Sequence, residues 1–538
     1  MRFVKGFMIF LVLLWGLACS DSLSSDSAAE SRSYAGSGGA SSTDTATSAD
    51  IGNSSPRQED SATESSPSIG NSTGSDEFAE SDDDGTSAEE SLDDPTAGEE
   101  VWIQFSPDDS TSMASAQFYK LDRSVGHRNL KPHEFVNYYD APKALYDQEE
   151  WAYESADSSG IGLALKATRR EIESAPQVDC EVGEDCAEAE SNDGFDLLFQ
   201  MNGDQITTDI RRNWHLVMCV DVSGSMSGDK IEFVRKALVK MLQHLKEGDH
   251  LTLVTFDSSS HVIFENKEFS ESENDIREAF EALRPGSATN MLAGLNEAYR
   301  LAQAHYQEGM LHRVLLFGDG RANVGNTDIE RFAGLTRREQ QEGIYLSGFG
   351  VGYDYDWERM DQLTDAGKGA HVFLPNLDEV ELMFGDYFSK MVEVAADEIS
   401  IAMTFPPGIR LESFSGEEVS TDRENRVQNI ILAKGDDLTF LARLLVSDDE
   451  AWDKPATLEI EYRPLGTAEL VTQKVQFEKL SEILKPEGQL MQRTQAVVDF
   501  ADYACGTGSD TEAKRTLENY ETNHTLDWGL EEIQSLLR

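Results

Sequence analysis

Positive charge is scarce in this chain. Against 100 Asp and Glu it sets only 45 Lys and Arg, for a formal net charge of −55. An acid excess of that size makes nucleic acid and anionic lipid surfaces poor partners for most of its length. The acid either keeps the protein soluble in salty surroundings or is ordinary surface solvation; the sequence fits both readings. Cysteine is scarce too, with five in 538 residues, so the chain does not rely on a disulfide framework. No repeat period is visible, which argues against a solenoid. His133 and Glu134 lack the second histidine of a zinc protease, because Asn137 stands where it is required. Gly367-Lys368-Gly369 falls short of a glycine-rich phosphate cradle, and no His-Gly-Gly oxyanion motif is present. Residues 20–100 have almost no large apolar side chains. They cannot bury enough surface to offset their ordering entropy, and are expected to be disordered.

What is present begins with residues 1–18. Arg2 and Lys5 precede an apolar run that is short for a membrane span, and small residues follow it, the three zones of a secretory signal. With Cys19 after Ala18, the segment resembles a bacterial lipoprotein signal. That resemblance implies that Cys19 becomes the lipidated first residue of a cell-envelope protein, with plain secretion as the alternative. Ser20 in place of Asp favours the outer membrane, facing either the periplasm or the exterior. The stretch 19–100 then reads as a solvating tether with an r.m.s. reach on the order of 50 Å. Cys180 and Cys186 flank an acidic loop and either close a small bridge or stay as two thiols. Cys219 reads as a core residue, and Cys505 as unpaired.

The chain is organised around residues 214–228. An apolar run of strand length, 216–220, delivers Asp221 to its carboxyl end, and small residues turn the chain into a helix-patterned segment near Asp229. Asp221, Ser223 and Ser225 follow at alternate positions on that turn, where open α/β sheets bind their ligands. Oxygen-only donors suit a hard cation such as Mg²⁺, Mn²⁺ or Ca²⁺ and argue against zinc. Two neutral hydroxyls cancel none of the ion's charge, so the ion stays electrophilic towards an incoming carboxylate.

These residues resemble the metal-ion-dependent adhesion site of the von Willebrand factor type A family, with its Asp-x-Ser-x-Ser, distant Thr and distant Asp. Thr289, in Pro-Gly-Ser-Ala-Thr-Asn, and Asp319, at the end of Arg-Val-Leu-Leu-Phe-Gly-Asp, supply the distant members. The resemblance implies that Ser223, Ser225 and Thr289 ligate a divalent cation, Mg²⁺ above all, and that Asp221 and Asp319 act through bound water. Gly318 stands where the family often has a hydroxyl residue, a departure expected to cost one supporting hydrogen bond at most. The loop 323–328 also looks like that of bacterial members. Pro-His-Glu-Phe-Val-Asn-Tyr-Tyr, from His133 onwards after Pro132, looks like the segment that precedes the domain in a group of bacterial envelope proteins.

Strand candidates at 215–220, 251–256, 261–264, 313–317, 344–350 and 370–374 alternate with helical patterns at 230–246, 274–283, 291–306, 328–341, 357–365 and 377–391. This predicts a doubly wound, mostly parallel α/β sheet over 212–392. Alternating strand patterns flank it, as at Ile161, Leu163 and Leu165 before and Ile399, Ile401, Met403 and Phe405 after. The expected organisation is therefore a β-rich region at 101–211 and a β-sandwich region at 393–480 sharing one domain into which the α/β block is inserted. Helices are expected to close the chain over 481–538.

The functional reading is recognition rather than turnover: a partner protein's Asp or Glu completes the ion's coordination, with loops at 258–260, Arg321 and 353–356 choosing the partner. Two other readings compete. In one the ion merely staples loops in a structural or assembly scaffold. In the other, Gly-x-Ser-x-Gly at 224–228 is a nucleophile elbow, with Ser227 attacking and His371 and an acid such as Asp319 assisting. Asp-x-Ser-x-Ser accounts for the same turn and brings Thr289 and Asp319 with it. His215, His261 and His371 read as packed or edge histidines.

Overall fold

The computed structural model describes residues 99–538 apart from 108–111, 122, 124–129, 157–160, 172–192, 204–210, 322–327, 428, 434, 436 and 465–468. The expected signal, tether, lipidated Cys19, Cys180–Cys186 pair and most of the 323–328 loop lie outside the described residues. Before the α/β block come β1 (Val101–Ser106), α1 (Ala114–Leu121), α2 (Pro132–Tyr138), α3 (Lys143–Tyr146), β2 (Tyr153–Ala156), β3 (Ile161–Glu171) and β4 (Asp193–Gly203). The block itself holds β5 (Trp214–Asp221), α4 (Asp229–Met241), β6 (His250–Phe256), β7 (Ser260–Glu268), α5 (Phe269–Glu281) and α6 (Met291–Ala304). It continues with β8 (Leu311–Gly318), α7 (Ile329–Gln341), β9 (Ile344–Val351), α8 (Trp357–Gly367), β10 (His371–Leu374), α9 (Leu377–Gly385) and α10 (Phe388–Val392).

The six strands of the block form one sheet in the order β10-β9-β8-β5-β6-β7, parallel except for the antiparallel edge strand β7. Every residue of β5 is buried, because helices cover both faces. Leu216, Met218 and Val220 meet the core that includes Ile231 and Val234 of α4; Val217 and Cys219 meet the one that includes Leu295 and Ala298 of α6. Burial on both sides is why this strand reads as an unbroken apolar run. The chain winds from β5 to β6 in one direction and resumes at β8 on the other side. The carboxyl ends of β5 and β8 therefore flank the point where the winding reverses, the usual ligand crevice of such sheets.

After the block come β11 (Val394–Phe405), β12 (Ile409–Phe414), β13 (Glu418–Ser420), β14 (Ile430–Ala433), β15 (Asp437–Val446), β16 (Ala456–Pro464) and β17 (Val471–Phe477), then α11 (Gln489–Cys505), α12 (Asp510–Asn523) and α13 (Trp528–Leu536). Two antiparallel sheets result, one ordered β13-β1-β11-β16-β17 with β14 also on β11, the other β12-β15-β4-β3-β2. The inward residues of both, among them Phe105, Leu165, Phe199, Ile401, Met403, Phe440 and Leu458, form one core. In each sheet a strand from before the block pairs with one from after it: β1 with β11, and β4 with β15.

The 101–211 stretch, expected to be strand-rich, also supplies α1, α2 and α3. Pro132 sits in the first turn of α2, where its fixed φ starts a helix and its missing N–H costs nothing. Phe135 and Tyr139 then reach Phe500 of α11, with ring centroids 5.9 and 6.1 Å apart. Among the described residues no helix is long and apolar enough to cross a membrane. Cys219 and Cys505 are free, as expected.

His215 and His312, on neighbouring strands, are both buried, and their Nδ1 atoms lie 3.2 Å apart. Burial pushes the His215 imidazole down from 6.5 to about 3 and lowers His312 as well. Below pH 6.5 the unfolded chain binds protons that these folded rings refuse, so stability falls as pH drops from 6.5 towards 3. By pH 4 the His215 ring alone is expected to cost about 3 kcal/mol. Urea melts at pH 7 and pH 4 check this, with His215→Gln losing less between the two than the native chain. Equal losses would place the acid sensitivity elsewhere.

Candidate functional site

Parallel pairing of Val220 with Phe317 sets Asp221 beside Gly318, so that Asp221 and Asp319 leave adjacent strands at the same end of the sheet. Both carboxylates are fully buried. Asp221 Oδ1 accepts the Ser223 amide at 2.7 Å, which closes the turn after β5, while Asp221 Oδ2 is buried with no hydrogen-bond partner. Burial pushes the Asp221 carboxyl up to about 7, with the Asp319 charge adding to the rise and Ser223 and Lys230 opposing it. The Oγ atoms of Ser223 and Ser225 lie 3.0 Å apart. Met226 is fully buried and pins the turn to the core.

The Thr289 loop is tied to this turn through its backbone. Gly224 N donates to Ser287 O at 2.7 Å, Gly286 N donates to Val222 O, and Thr289 is buried two residues further on. A Cβ at Gly286 would lie 2.6 Å from Asp257 Oδ2 and 3.2 Å from Val222 O, so the approach requires glycine. Asn290 then caps α6 by accepting from Ala293 N. On the other side, Asp319 Oδ1 accepts the Arg321 amide at 3.2 Å, and Asp319 O accepts Asp356 N at 2.7 Å.

Lys230, in the first turn of α4, was not singled out in the sequence. Its Nζ lies 3.1 Å from Asp319 Oδ2 and 2.6 Å from Asp354 Oδ1, and Arg321 reaches the other Asp354 oxygen at 3.0 Å. The only local signal was a lysine just inside the helix that follows the turn. Tyr353, beside this network, is exposed.

Gly318 does more than leave out a hydroxyl. A Cβ there would lie 2.9 Å from Asp221 Cβ, so glycine is what lets Asp221 stand between the strands. Ser227 Oγ donates to Gly224 O at 2.8 Å and is exposed, whereas His371 is buried with Nε2 3.3 Å from the Tyr355 hydroxyl. The serine and histidine of the hydrolase reading thus each have another partner.

The structure brings together the Asp221–Ser225 turn, the Thr289 loop and Asp319. The donors fit a hard divalent cation: all are oxygen, two are neighbouring hydroxyls, and one buried carboxylate oxygen has no other partner.

Residues 215–383 match the family model described as the von Willebrand factor type A domain. The chain carries a von Willebrand factor type A domain. The protein YfbK of Escherichia coli (strain K12) is 28% identical to it over 195 residues, 36% of this chain and 34% of that protein. The protein sll0103 of Synechocystis sp. is 24% identical over 203 residues, 38% of this chain and 47% of that protein. The matches thus span between a third and a half of these relatives' lengths. Among solved structures, a von Willebrand factor type A protein from Catenulispora acidiphila aligns over 67% of this chain and 87% of its own, at 14% identity and a TM-score of 0.42.

Proposed function

We propose that the von Willebrand factor type A domain of this chain captures a protein partner through a divalent cation, Mg²⁺ above all, held by Ser223, Ser225 and Thr289 with Asp221 and Asp319 behind them. The observation that carries the reading is a pair of buried carboxylates at the ends of adjacent strands, where the sheet reverses its winding, with two neighbouring hydroxyls on the turn after the first and Asp221 Oδ2 unpartnered. When bound, the cation supplies an electrophilic coordination position that an Asp or Glu of the partner fills. Asp221 and Asp319 contribute charge without occupying that position, and Lys230 and Arg321 restrain the Asp354 rim beside it. Tyr353 and the 258–260 loop are the rim positions that select the partner.

The fold also bears on the staple alternative. The Ser223 turn and the Thr289 loop are already joined by backbone hydrogen bonds, Gly224 to Ser287 and Gly286 to Val222, and the Asp319 loop is held by Asp356. This leaves a purely stapling ion little to hold and favours a binding role. The pairing of β1 with β11 and of β4 with β15 supports reading the domain as an insert in one discontinuous β-sandwich. The lipid anchor at Cys19 and an outer-membrane, cell-envelope location complete the proposal. Incorporation of labelled palmitate by the native chain, and not by Cys19→Ser, is the expected result.

The binding reading is tested by capture of partners from an envelope extract on the immobilised full chain. Partners are expected to elute in chelator and rebind in Mg²⁺ or Mn²⁺. Capture that ignores chelation would exclude the metal, and a chain that loses only thermal stability would favour the staple. A further expected effect concerns Gly318. The Gly318→Ala methyl displaces Asp221, and Mg²⁺ affinity by calorimetry is expected to fall about tenfold, near 1.4 kcal/mol. An unchanged affinity would mean that Asp221 can move aside freely.

A further inference from the structure

A second cluster lies away from the hydroxyl turn. Glu134 on α2, Asp361 on α8 and His371 at the start of β10 each place one ligand-capable atom within 4.8 Å of the other two. His371 Nδ1 is 3.5 Å from Asp361 Oδ1 and 4.0 Å from Glu134 Oε1. Both separations are too long for a good hydrogen bond. Glu134 and His371 are 0% exposed, and Glu134 Oε1 and His371 Nδ1 have no hydrogen-bond partner. Two unsatisfied atoms facing one another in a dry interior are costly unless something sits between them.

The remaining atoms of these side chains are engaged in ways that aim the unsatisfied ones. Glu134 Oε2 accepts the Ser115 amide, and His371 Nε2 lies 3.3 Å from the Tyr355 hydroxyl. Such outer contacts fix the orientation of metal-binding imidazoles and carboxylates. Asp361 Oδ1 also meets the Lys131 ammonium at 2.8 Å, and Lys131 is shared with Asp365 at 3.6 Å, so one lysine faces three carboxyl groups here. The facing atoms, 3.5 and 4.0 Å apart and all within 4.8 Å of one another, are close enough for small side-chain shifts to bring all three to the roughly 2.0 to 2.2 Å of zinc bonds to nitrogen and carboxylate oxygen.

We propose that Glu134, Asp361 and His371 form a buried site for a divalent transition-metal ion, Zn²⁺ first, separate in place and in chemistry from the hydroxyl site. The imidazole selects against Mg²⁺ and Ca²⁺, whereas hydroxyl donors select for them. The site joins α2, which precedes the α/β block, to α8 and β10 within it. It is a cross-link between segments distant in sequence, and it needs no partner.

The test loads the chelator-stripped full chain with Zn²⁺ in excess Mg²⁺, dialyses it, and measures metal by mass spectrometry. One Zn²⁺ per chain is expected in the native protein and in the Asp221→Asn background, with affinity lowered at least about 100-fold in Glu134→Gln and His371→Gln. No retained zinc, or retention unchanged in Glu134→Gln, overturns the proposal. Because buried substitutions can compromise folding, the native chain is also loaded with Co²⁺ and examined by X-ray absorption. A shell holding one imidazole nitrogen and carboxylate oxygens is expected; an oxygen-only shell, or no bound cobalt, overturns the proposal independently of any variant.

Discussion

Replacing Asp221 with Asn is expected to abolish Mg²⁺-dependent partner capture while leaving the chain at least as stable without metal. The amide keeps an acceptor for the Ser223 N–H, now 2.7 Å from Oδ1, so the turn keeps its shape. What disappears is a buried ionisable carboxyl whose second oxygen has no protein partner. Loss of one of two carboxylates near a doubly charged ion is expected to weaken Mg²⁺ binding by at least about 100-fold, or about 3 kcal/mol. The same change removes the desolvation that lifts this carboxyl to about 7, so the metal-free melting temperature is expected to hold or rise. A mere folding residue behaves in the opposite way, with stability lost and metal affinity little changed. Calorimetric Mg²⁺ titration beside a thermal melt separates the two.

The largest stability effect is expected at Arg493. This side chain is 2% exposed and sits on α11, where its Nη1 and Nη2 donate to Tyr139 O at 2.7 Å and Asp140 O at 3.2 Å. Its Nε and Nη2 also grip both oxygens of Asp527 at 2.6 and 3.1 Å. Asp527 in turn caps α13 by accepting from Gly529 N and Leu530 N. One guanidinium therefore binds the end of α2 and the start of α13 to the helix between them. Arg493→Met fills much of the volume but takes the arginine donors from Asp527 Oδ2 and from two carbonyls and removes the counter-charge of Asp527, an expected loss of about 3–5 kcal/mol. Arg493→Lys keeps the charge but not the fork and should lie between. Urea melts of the three chains decide it; a methionine variant within about 1 kcal/mol of native would show that water or Asp527 reorientation satisfies the site.

Much of the hydroxyl site was legible because its chemistry is local. An apolar run ending in Asp221 fixes where the strand stops, and alternate oxygen side chains on the turn that follows face one crevice. Asp319 was legible for the same reason, as the residue just beyond β8. Lys230 was not, since its partners Asp319 and Asp354 are 89 and 124 residues away and only folding of the sheet reveals the bridge. In the sequence Gly318 is only a missing hydroxyl; the distance to Asp221 Cβ makes it a space requirement. The α1–α3 helices were missed because short helices supported by distant aromatics, such as Phe500 against Phe135, carry little period of their own. The cluster of Glu134, Asp361 and His371 shows the same limit from the other side. His133-Glu134 lacks a second histidine nearby and so carries no local metal motif, while the groups facing Glu134 come from two other elements.

The most direct measurement is anomalous diffraction at the manganese edge from crystals of the full chain soaked in Mn²⁺. A peak is expected within bonding distance of the hydroxyls of Ser223, Ser225 and Thr289, with Asp221 and Asp319 reaching it through water and one position open to solvent or an added carboxylate. A peak coordinated without Thr289, or no density at the end of β5 under saturating manganese, would contradict it.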